Sequence, residues 1–161
     1  RARAFGVRVT AVRRSQDTAG LADQVCRQEQ LPAVLPQADV VVLACTSNQQ
    51  TRNMVDAGFL ASMKESAVLV NVARGDLVVE DDLHKAMDQG RPAFAILDTV
   101  VEEPVPAESW FWDHPRVALT AHTSNGGNGF PQRSLETFLD NLQRMTQGQS
   151  LLNLVSREDI I

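Results

Sequence analysis

The sequence lacks the features that mark several classes of protein. It has 15 basic and 20 acidic residues, a formal net charge of −5 at pH 7, so no basic excess favours nucleic acid or anionic membranes. No apolar run is long enough to cross a bilayer, and no secretory signal peptide is recognisable. Internal repeats and low-complexity tracts are absent as well. We therefore expect a cytoplasmic protein whose partners include neither nucleic acid nor a membrane.

Cysteine is also scarce. The chain has two cysteines, Cys26 and Cys45, and they are not spaced as metal ligands usually are. We interpret both as reduced thiols in the core of a cytoplasmic protein. The sequence therefore predicts no metal site.

The pattern of apolar residues predicts an α/β fold. The 161 residues are enough for one domain with a substantial core. Continuous apolar stretches rich in β-branched residues are typical of strands covered on both faces. We predict strands over residues 7–12, 39–45, 68–72, 93–97, 117–120 and 151–155, and helices over 29–35, 56–63, 80–89 and from 131 to about 147. This alternation indicates βαβ units and a mostly parallel sheet.

Three of the predicted strands end in a polar side chain. Arg74, Asp98 and His122 each follow a strand, and Glu103 lies in the loop after Asp98. The carboxyl ends of parallel strands meet at one edge of the sheet, which is where open α/β sheets bind their ligands. An arginine there can hold an anion, and a histidine beside a carboxylate can exchange a proton with a carbonyl or an alcohol.

Each of these residues alone also has a simpler interpretation. Arg74 could be a surface ion-pair partner, Glu103 a solvated loop charge and His122 a structural histidine. Asp98 could cap a helix or stabilise a turn. Spacing alone is therefore weak support for a catalytic site.

The motifs around these residues resemble the D-isomer-specific 2-hydroxyacid dehydrogenases. The segments that carry the resemblance are Asn71–Gly75, Leu97–Asp98, Glu102–Pro104 and Leu119–His122, and it extends over nearly the whole chain. It implies a doubly wound, Rossmann-like parallel sheet. It also implies hydride transfer between NAD(P)H and C2 of a small 2-keto or 2-hydroxy acid, as in a glyoxylate/hydroxypyruvate reductase, and a homodimer.

The resemblance further implies a role for each polar residue. Arg74 would bind the carboxylate and carbonyl of the substrate. His122 would be the proton donor and acceptor, and Glu103 would pair with it. Asp98 would contact the nicotinamide carboxamide. The other residues expected at the cofactor site are Cys45, Thr46, Thr51, Val72 and Ala73, together with Arg74 and His122.

The cofactor preference depends on the residues after the first predicted strand. In a Rossmann fold, an acid at the end of the second strand binds the 2′-hydroxyl of the adenosine ribose, and an arginine can replace it where a 2′-phosphate is bound. Arg13, Arg14 and Ser15 occupy this position, and two guanidinium groups with a hydroxyl suit a phosphate. We therefore predict NADP(H). The alternative is a solvated basic turn on an enzyme that uses NAD(H).

Three other residues gain no support as site residues. His84 lies on the polar side of its predicted helix, and we interpret it as structural. His114 lies in residues 112–115, a segment that resembles the family's loop before the last strand of the sheet. Trp112 precedes the strand at 117–120. We expect it to pack there, with a place at the mouth of the substrate site as the alternative.

Some expected elements of the fold are missing. The glycine-rich G-x-G-x-x-G turn and the strand before it do not occur. We expect residues 1–148 to be part of a dinucleotide-binding domain and 149–161 to lead back toward a substrate-binding domain of a longer enzyme. Without the central first strand, the strands at 7–12 and 39–45 would each have an unpaired edge. Two alternatives to a working enzyme stay open: an inactive fragment, and a non-catalytic, corepressor-like protein that senses dinucleotide.

Overall fold

A computed structural model describes residues 1–14, 20–127 and 129–155, and its strands form two parallel sheets. One sheet pairs β1 with β2, and the other has the strand order β3-β4-β5-β6. The strands are β1 Thr10–Val12, β2 Gln24–Cys26, β3 Val40–Leu43, β4 Val68–Asn71, β5 Phe94–Leu97 and β6 Val117–Leu119. Every pairing is parallel, so the prediction of an α/β fold with parallel sheets is confirmed.

Short helices connect most of these strands. The α-helices are α1 Leu31–Val34, α2 Ala57–Ser62, α3 Glu80–Asp88 and α4 Phe130–Thr146, and the 3-10 helices are Ala2–Phe5, Gln28–Gln30, Leu35–Gln37 and Gly75–Leu77. Asp56 caps α2 as predicted, since its carboxylate accepts a hydrogen bond of 2.9 Å from the Phe59 N–H. Three acidic residues occupy the first turn of α3, where they interact favourably with the helix dipole.

The main core lies around the four-stranded sheet and the pair α2 and α3. Each of these helices and β4 contributes fully buried apolar side chains, with 0% exposure at Leu60, Leu69, Leu83 and Met87. Burying one such side chain stabilises the fold by about 1.5–3 kcal/mol relative to leaving it exposed. The last residues of β3, β4 and β5 are in register with one another, so the loops after these strands leave the sheet along one line.

The two sheets leave β1 and β3 as edge strands in the part of the chain that is described. On β3, Val40 and Val42 are each 56% exposed, whereas Leu43 is buried. The order β2-β1 followed by β3-β4-β5-β6 matches the doubly wound order with its central strand left out. The unpaired edges expected at residues 7–12 and 39–45 are therefore present in this structure.

Helix α4 exposes several large apolar side chains. Leu135, Phe138, Leu139, Leu142 and Met145 all point to solvent, with exposures of 46–63%. The segment after α4 is held to it by the Asn141 amide, which donates to the Leu152 carbonyl oxygen (3.1 Å) and accepts from the Leu152 N–H (2.7 Å). No helix in the described ranges has the length and apolar character needed to cross a membrane.

Three local predictions were wrong. Residues 151–155 contain a turn and no strand. The polar stretch before the first helix contains β2, which extends a sheet from β1 by pairing Cys26 with Val12. Cys45 is exposed and only Cys26 is buried, because β3 ends at Leu43 and Cys45 lies in the loop beyond it.

Candidate active site

The loops that follow β3, β4, β5 and β6 enclose one cavity of about 840 Å³ at the carboxyl edge of the sheet. Its lining comes from residues 44–47, 72–76, 99–101 and 103, and from His122. Three of the predicted catalytic residues, Arg74, Glu103 and His122, are among them. The parallel sheet explains this convergence, because each loop leaves the same edge.

Glu103 and His122 form the acid/base pair of the cavity. His122 Nδ1 lies 2.8 Å from Glu103 Oε2, and the Val100 N–H donates to Glu103 Oε1 at 3.1 Å. These contacts, the His122 bond first, lower the pKa of Glu103 below its ordinary value. Since the ionised carboxylate can only accept, Nδ1 carries the proton of this bond. Nε2 is then the ring nitrogen that can exchange a proton with a ligand.

Asp98 organises the loop that carries His122. Its carboxylate is 4% exposed and accepts hydrogen bonds from the Thr120 hydroxyl, the Thr123 N–H (3.0 Å) and the Ser124 N–H (2.9 Å). Bonds from the Ser124 and Thr120 side chains are the main reason that the pKa of Asp98 is far below its ordinary range. Asp98 does not line the cavity. Its expected contact with the nicotinamide carboxamide stays a prediction.

Arg74 lies in a tight turn directly after β4. The buried Asn71 side chain closes this turn by accepting from the Ala73 N–H at 3.0 Å and donating to the Arg74 carbonyl oxygen at 2.8 Å. The Arg74 guanidinium Nη1 donates to the Ala73 carbonyl oxygen at 2.7 Å. No carboxylate in the described ranges forms a salt bridge with Arg74, so its charge is available for an anion in the cavity.

Gly75 brings the Arg74 turn into direct contact with the loop that carries Glu103. A Cβ atom at Gly75 would lie 2.0 Å from the Val100 carbonyl carbon and 2.4 Å from the Val101 nitrogen. Only glycine allows so close an approach of two backbones. Glu80 at the start of α3 holds the same loop, because its carboxylate accepts from the Val101 N–H at 2.7 Å. Burial raises the pKa of Glu80.

The predicted cofactor residues fall into two groups. Cys45, Thr46, Val72 and Ala73 line the cavity. Thr51 does not line it; its hydroxyl donates to the Thr46 carbonyl oxygen at 2.7 Å and so closes the loop after β3.

Arg13 and Arg14 follow β1 at its carboxyl end, and both are exposed. The Arg13 N–H donates to the Cys26 carbonyl oxygen at 3.0 Å, which continues the β1–β2 pairing. Ser15 lies outside the described residues.

Sequence reasoning missed a polar cluster beside the cavity. Asp76 Oδ2 accepts from the Ser47 hydroxyl at 2.8 Å and lies 3.2 Å from Arg52 Nε. Asp76 and Ser47 both line the cavity. Asp76 Oδ1 is buried and has no hydrogen-bond partner in the described part of the chain. An acid two residues after Arg74, in the same turn, was the signal that could have pointed to it.

His84 and His114 pack against Trp110 and do not line the cavity, which supports the structural interpretation of His84. His84 stacks on Trp110 with ring centroids 4.1 Å apart, and His114 packs edge-on against Trp110. Trp112 is 56% exposed, and its indole N–H donates to the Pro106 carbonyl oxygen at 2.8 Å. Trp110, not Trp112, therefore anchors this loop. No group of three potential metal ligands occurs in residues 1–14, 20–127 and 129–155.

Comparison with known proteins agrees with this geometry. Residues 1–124 match the family model for the D-isomer specific 2-hydroxyacid dehydrogenase, NAD binding domain. The chain is 32% identical over 152 residues to glyoxylate/hydroxypyruvate reductase A of Serratia proteamaculans, which covers 94% of this chain and 48% of that protein. It thus spans about half the length of the curated relatives it matches.

Two solved structures have the same fold. A D-isomer specific 2-hydroxyacid dehydrogenase from Xanthobacter autotrophicus Py2, in complex with NADPH and MES, matches 94% of this chain and 62% of its own with a TM-score of 0.84 and 28% identity. The NADPH-dependent glyoxylate/hydroxypyruvate reductase of Sinorhizobium meliloti, in complex with NADP and sulfate, matches 96% of this chain and 49% of its own with a TM-score of 0.83 and 25% identity. The chain has the Rossmann-like fold of these enzymes and belongs to the D-isomer-specific 2-hydroxyacid dehydrogenase family.

Proposed function

We propose that the chain carries the nucleotide-binding and acid/base part of a reductase that uses NADPH to convert a small 2-keto acid into the D-2-hydroxy acid. Glyoxylate and hydroxypyruvate are the proposed substrates, as the names of the relatives suggest. The observation that supports this most is the convergence of Arg74, Glu103 and His122 on one cavity at the carboxyl edge of the sheet.

The described residues fit a phosphorylated dinucleotide. The cavity lies where open α/β sheets bind nucleotides, and Arg13 and Arg14 follow β1 at the position expected for the adenosine ribose. Their positive charges suit a 2′-phosphate. The structural neighbours in complex with NADPH or NADP support the same preference. When bound, the cofactor supplies the hydride.

The side chains of the cavity supply binding and proton transfer. Arg74 binds the carboxylate of the keto acid, since a guanidinium matches a carboxylate with two parallel hydrogen bonds. His122 Nε2 donates a proton to the carbonyl oxygen as charge develops there. Glu103 stabilises the imidazolium, and because its pKa is lowered it stays ionised throughout.

Retention of Arg74, Glu103 and His122 favours catalysis over the corepressor-like alternative. The proposal keeps residues 1–148 as part of the dinucleotide-binding domain and 149–161 as the segment that leads toward a substrate-binding domain. Residues 156–161 lie outside the described part of the chain. The homodimer and the cytoplasmic location expected from the sequence stay predictions.

The test is NADPH oxidation with glyoxylate by the reductase that contains this chain, in its wild-type form and as Arg74→Lys. Lysine keeps the charge and loses the bidentate geometry, so the KM for glyoxylate should rise by about 10-fold or more. NADPH binding, followed by its fluorescence, should change far less than the KM for glyoxylate. Equal KM values for glyoxylate in the two proteins would contradict the role of Arg74, and no turnover in the wild type would contradict the proposed function.

A further inference from the structure

We propose that Asn71 is a positioning residue that fixes Arg74 for binding the substrate carboxylate. This inference rests on the proposed function of Arg74. Asn71 does not line the cavity, and its exposed fraction is 0%. It acts through the turn that presents Arg74.

Both polar atoms of the Asn71 side chain form hydrogen bonds inside this turn. Oδ1 accepts from the Ala73 N–H at 3.0 Å, and Nδ2 donates to the Arg74 carbonyl oxygen at 2.8 Å. Asparagine is suited to this position because its side chain offers an acceptor and a donor at once. Aspartate could only accept, and serine is too short to reach both groups.

The two hydrogen bonds of the Asn71 side chain, here called the clamp, come from a residue that is fixed in the sheet. Asn71 is the last residue of β4, which pairs with β3 on one side and β5 on the other. Its carbonyl oxygen accepts from the Asp98 N–H at 2.9 Å. Asp98 in turn holds the loop of His122 through Thr123 and Ser124. The position of Asn71 therefore relates the Arg74 turn to the histidine loop.

The clamp reaches the guanidinium itself. Arg74 Nη1 donates to the Ala73 carbonyl oxygen at 2.7 Å, and Ala73 is one of the two residues that the Asn71 amide binds. If the amide is removed, the two peptides that flank the Ala73 carbonyl lose their hydrogen bonds to Asn71. Catalytic geometry is sensitive to such changes, because a displacement of about 1 Å can cost about 100-fold in rate.

The kinetic test compares Asn71→Asp with a matched control, Asn141→Asp. Asn141 makes the same pair of bonds, to the N–H and carbonyl of Leu152, away from the cavity. We expect kcat/KM for glyoxylate to fall by about 10- to 100-fold in Asn71→Asp, with the KM for NADPH unchanged. Asn141→Asp should match the wild type in both. An unchanged kcat/KM for glyoxylate in Asn71→Asp would overturn the inference.

A double-mutant cycle separates positioning from a general structural effect. If Asn71 acts through Arg74, then Asn71→Asp adds no further loss once Arg74→Ala is present. If Asn71→Asp lowers kcat/KM by the same factor in the Arg74→Ala protein as in the wild type, the inference is overturned. If Asn71→Asp does not fold, Asn71→Ser takes its place in the cycle, because it removes the donor to Arg74 without introducing a buried charge.

Chemical labelling tests the inference without turnover. Phenylglyoxal modifies arginines, and mass spectrometry locates the sites. We expect the labelling rate of Arg74 to rise several-fold in Asn71→Asp or Asn71→Ser, with Arg13 and Arg52 unchanged. If the wild-type reductase that contains this chain shows no turnover, the proposed function fails while this labelling still decides the role of Asn71. An unchanged rate at Arg74, or an equal rise at all arginines, overturns it.

Discussion

Replacing Gly75 by alanine should separate the two loops that hold Arg74 and Glu103. The added Cβ would lie 2.0 Å from the Val100 carbonyl carbon and 2.1 Å from its oxygen, whereas ordinary contacts begin at 3.4 Å. One backbone must therefore move by about 1.4 Å, the difference between 3.4 and 2.0 Å. Both neighbours are main-chain atoms, so no flexible side chain can absorb the displacement.

The cost of this displacement has two parts. Overpacking alone lowers the free energy of unfolding by about 1–3 kcal/mol. The moving loop also carries the Val100 N–H, which donates to Glu103, and the Val101 N–H, which donates to Glu80. Weakening either bond adds to the loss. Because Glu103 moves relative to Arg74, kcat/KM for glyoxylate should fall by about 100-fold.

The assay is urea unfolding followed by tryptophan fluorescence, with Gly58→Ala as the matched control. Gly58 lies in α2, and a Cβ there meets only Asp56 Oδ1, at 3.4 Å. Alanine in a helix is favoured over glycine by about 1 kcal/mol, so the control should be as stable as the wild type or more so. The reasoning is refuted if Gly75→Ala and Gly58→Ala are equally stable.

Three further predictions concern charge. Asp98→Asn should lower the free energy of unfolding by about 1–3 kcal/mol. Because the pKa of Asp98 is lowered on folding, this difference should be present above the ordinary aspartate pKa and shrink as pH falls toward the folded value; a difference that grows in acid would contradict it. Glu103→Gln should reduce kcat for glyoxylate. In the wild type, the acid limb of the profile of kcat against pH should lie below the ordinary glutamate pKa of 4.5, because His122 keeps Glu103 ionised. Replacing Arg13 and Arg14 by alanine should raise the KM for NADPH far more than for NADH, and equal effects in steady-state kinetics would argue against NADP preference.

The sequence was sufficient to predict three of the residues that meet at the cavity. Continuous apolar strands each end in a polar side chain, and parallel pairing brings those ends together. Arg74, Glu103 and His122 could therefore be placed at one edge of the sheet before any contact was known.

The short or unsupported elements were harder to predict. β2 has only three residues, Gln24–Cys26, and it is a strand because β1 offers it an edge. Residues 151–155 are apolar like a strand, but the Asn141 side chain holds Leu152 in a turn. In both segments a partner distant in the chain decides the local structure, and no local pattern reports it.

The supporting contacts of the site were also beyond sequence reasoning. Ser47 meets Asp76 across 29 positions of the chain, and Asp98 holds Thr123 across 25. The close approach of Gly75 to Val100 is a contact of the same kind. Among these supporting residues, Asn71 was the one with a local sequence signal. A polar residue at the end of a fully apolar strand must form hydrogen bonds when it is buried.

The most direct test of the account is the rate of NADPH oxidation with glyoxylate in the wild-type reductase that contains this chain and in its His122→Asn variant. The account predicts saturable turnover in the wild type. It predicts a loss of about 10²–10⁴-fold in the variant, with NADPH binding unchanged, because His122 supplies the proton and Glu103 holds only its ring. Turnover that survives in His122→Asn, or a wild-type reductase that binds NADPH and reduces no 2-keto acid, would contradict the assignment of this cavity as the active site.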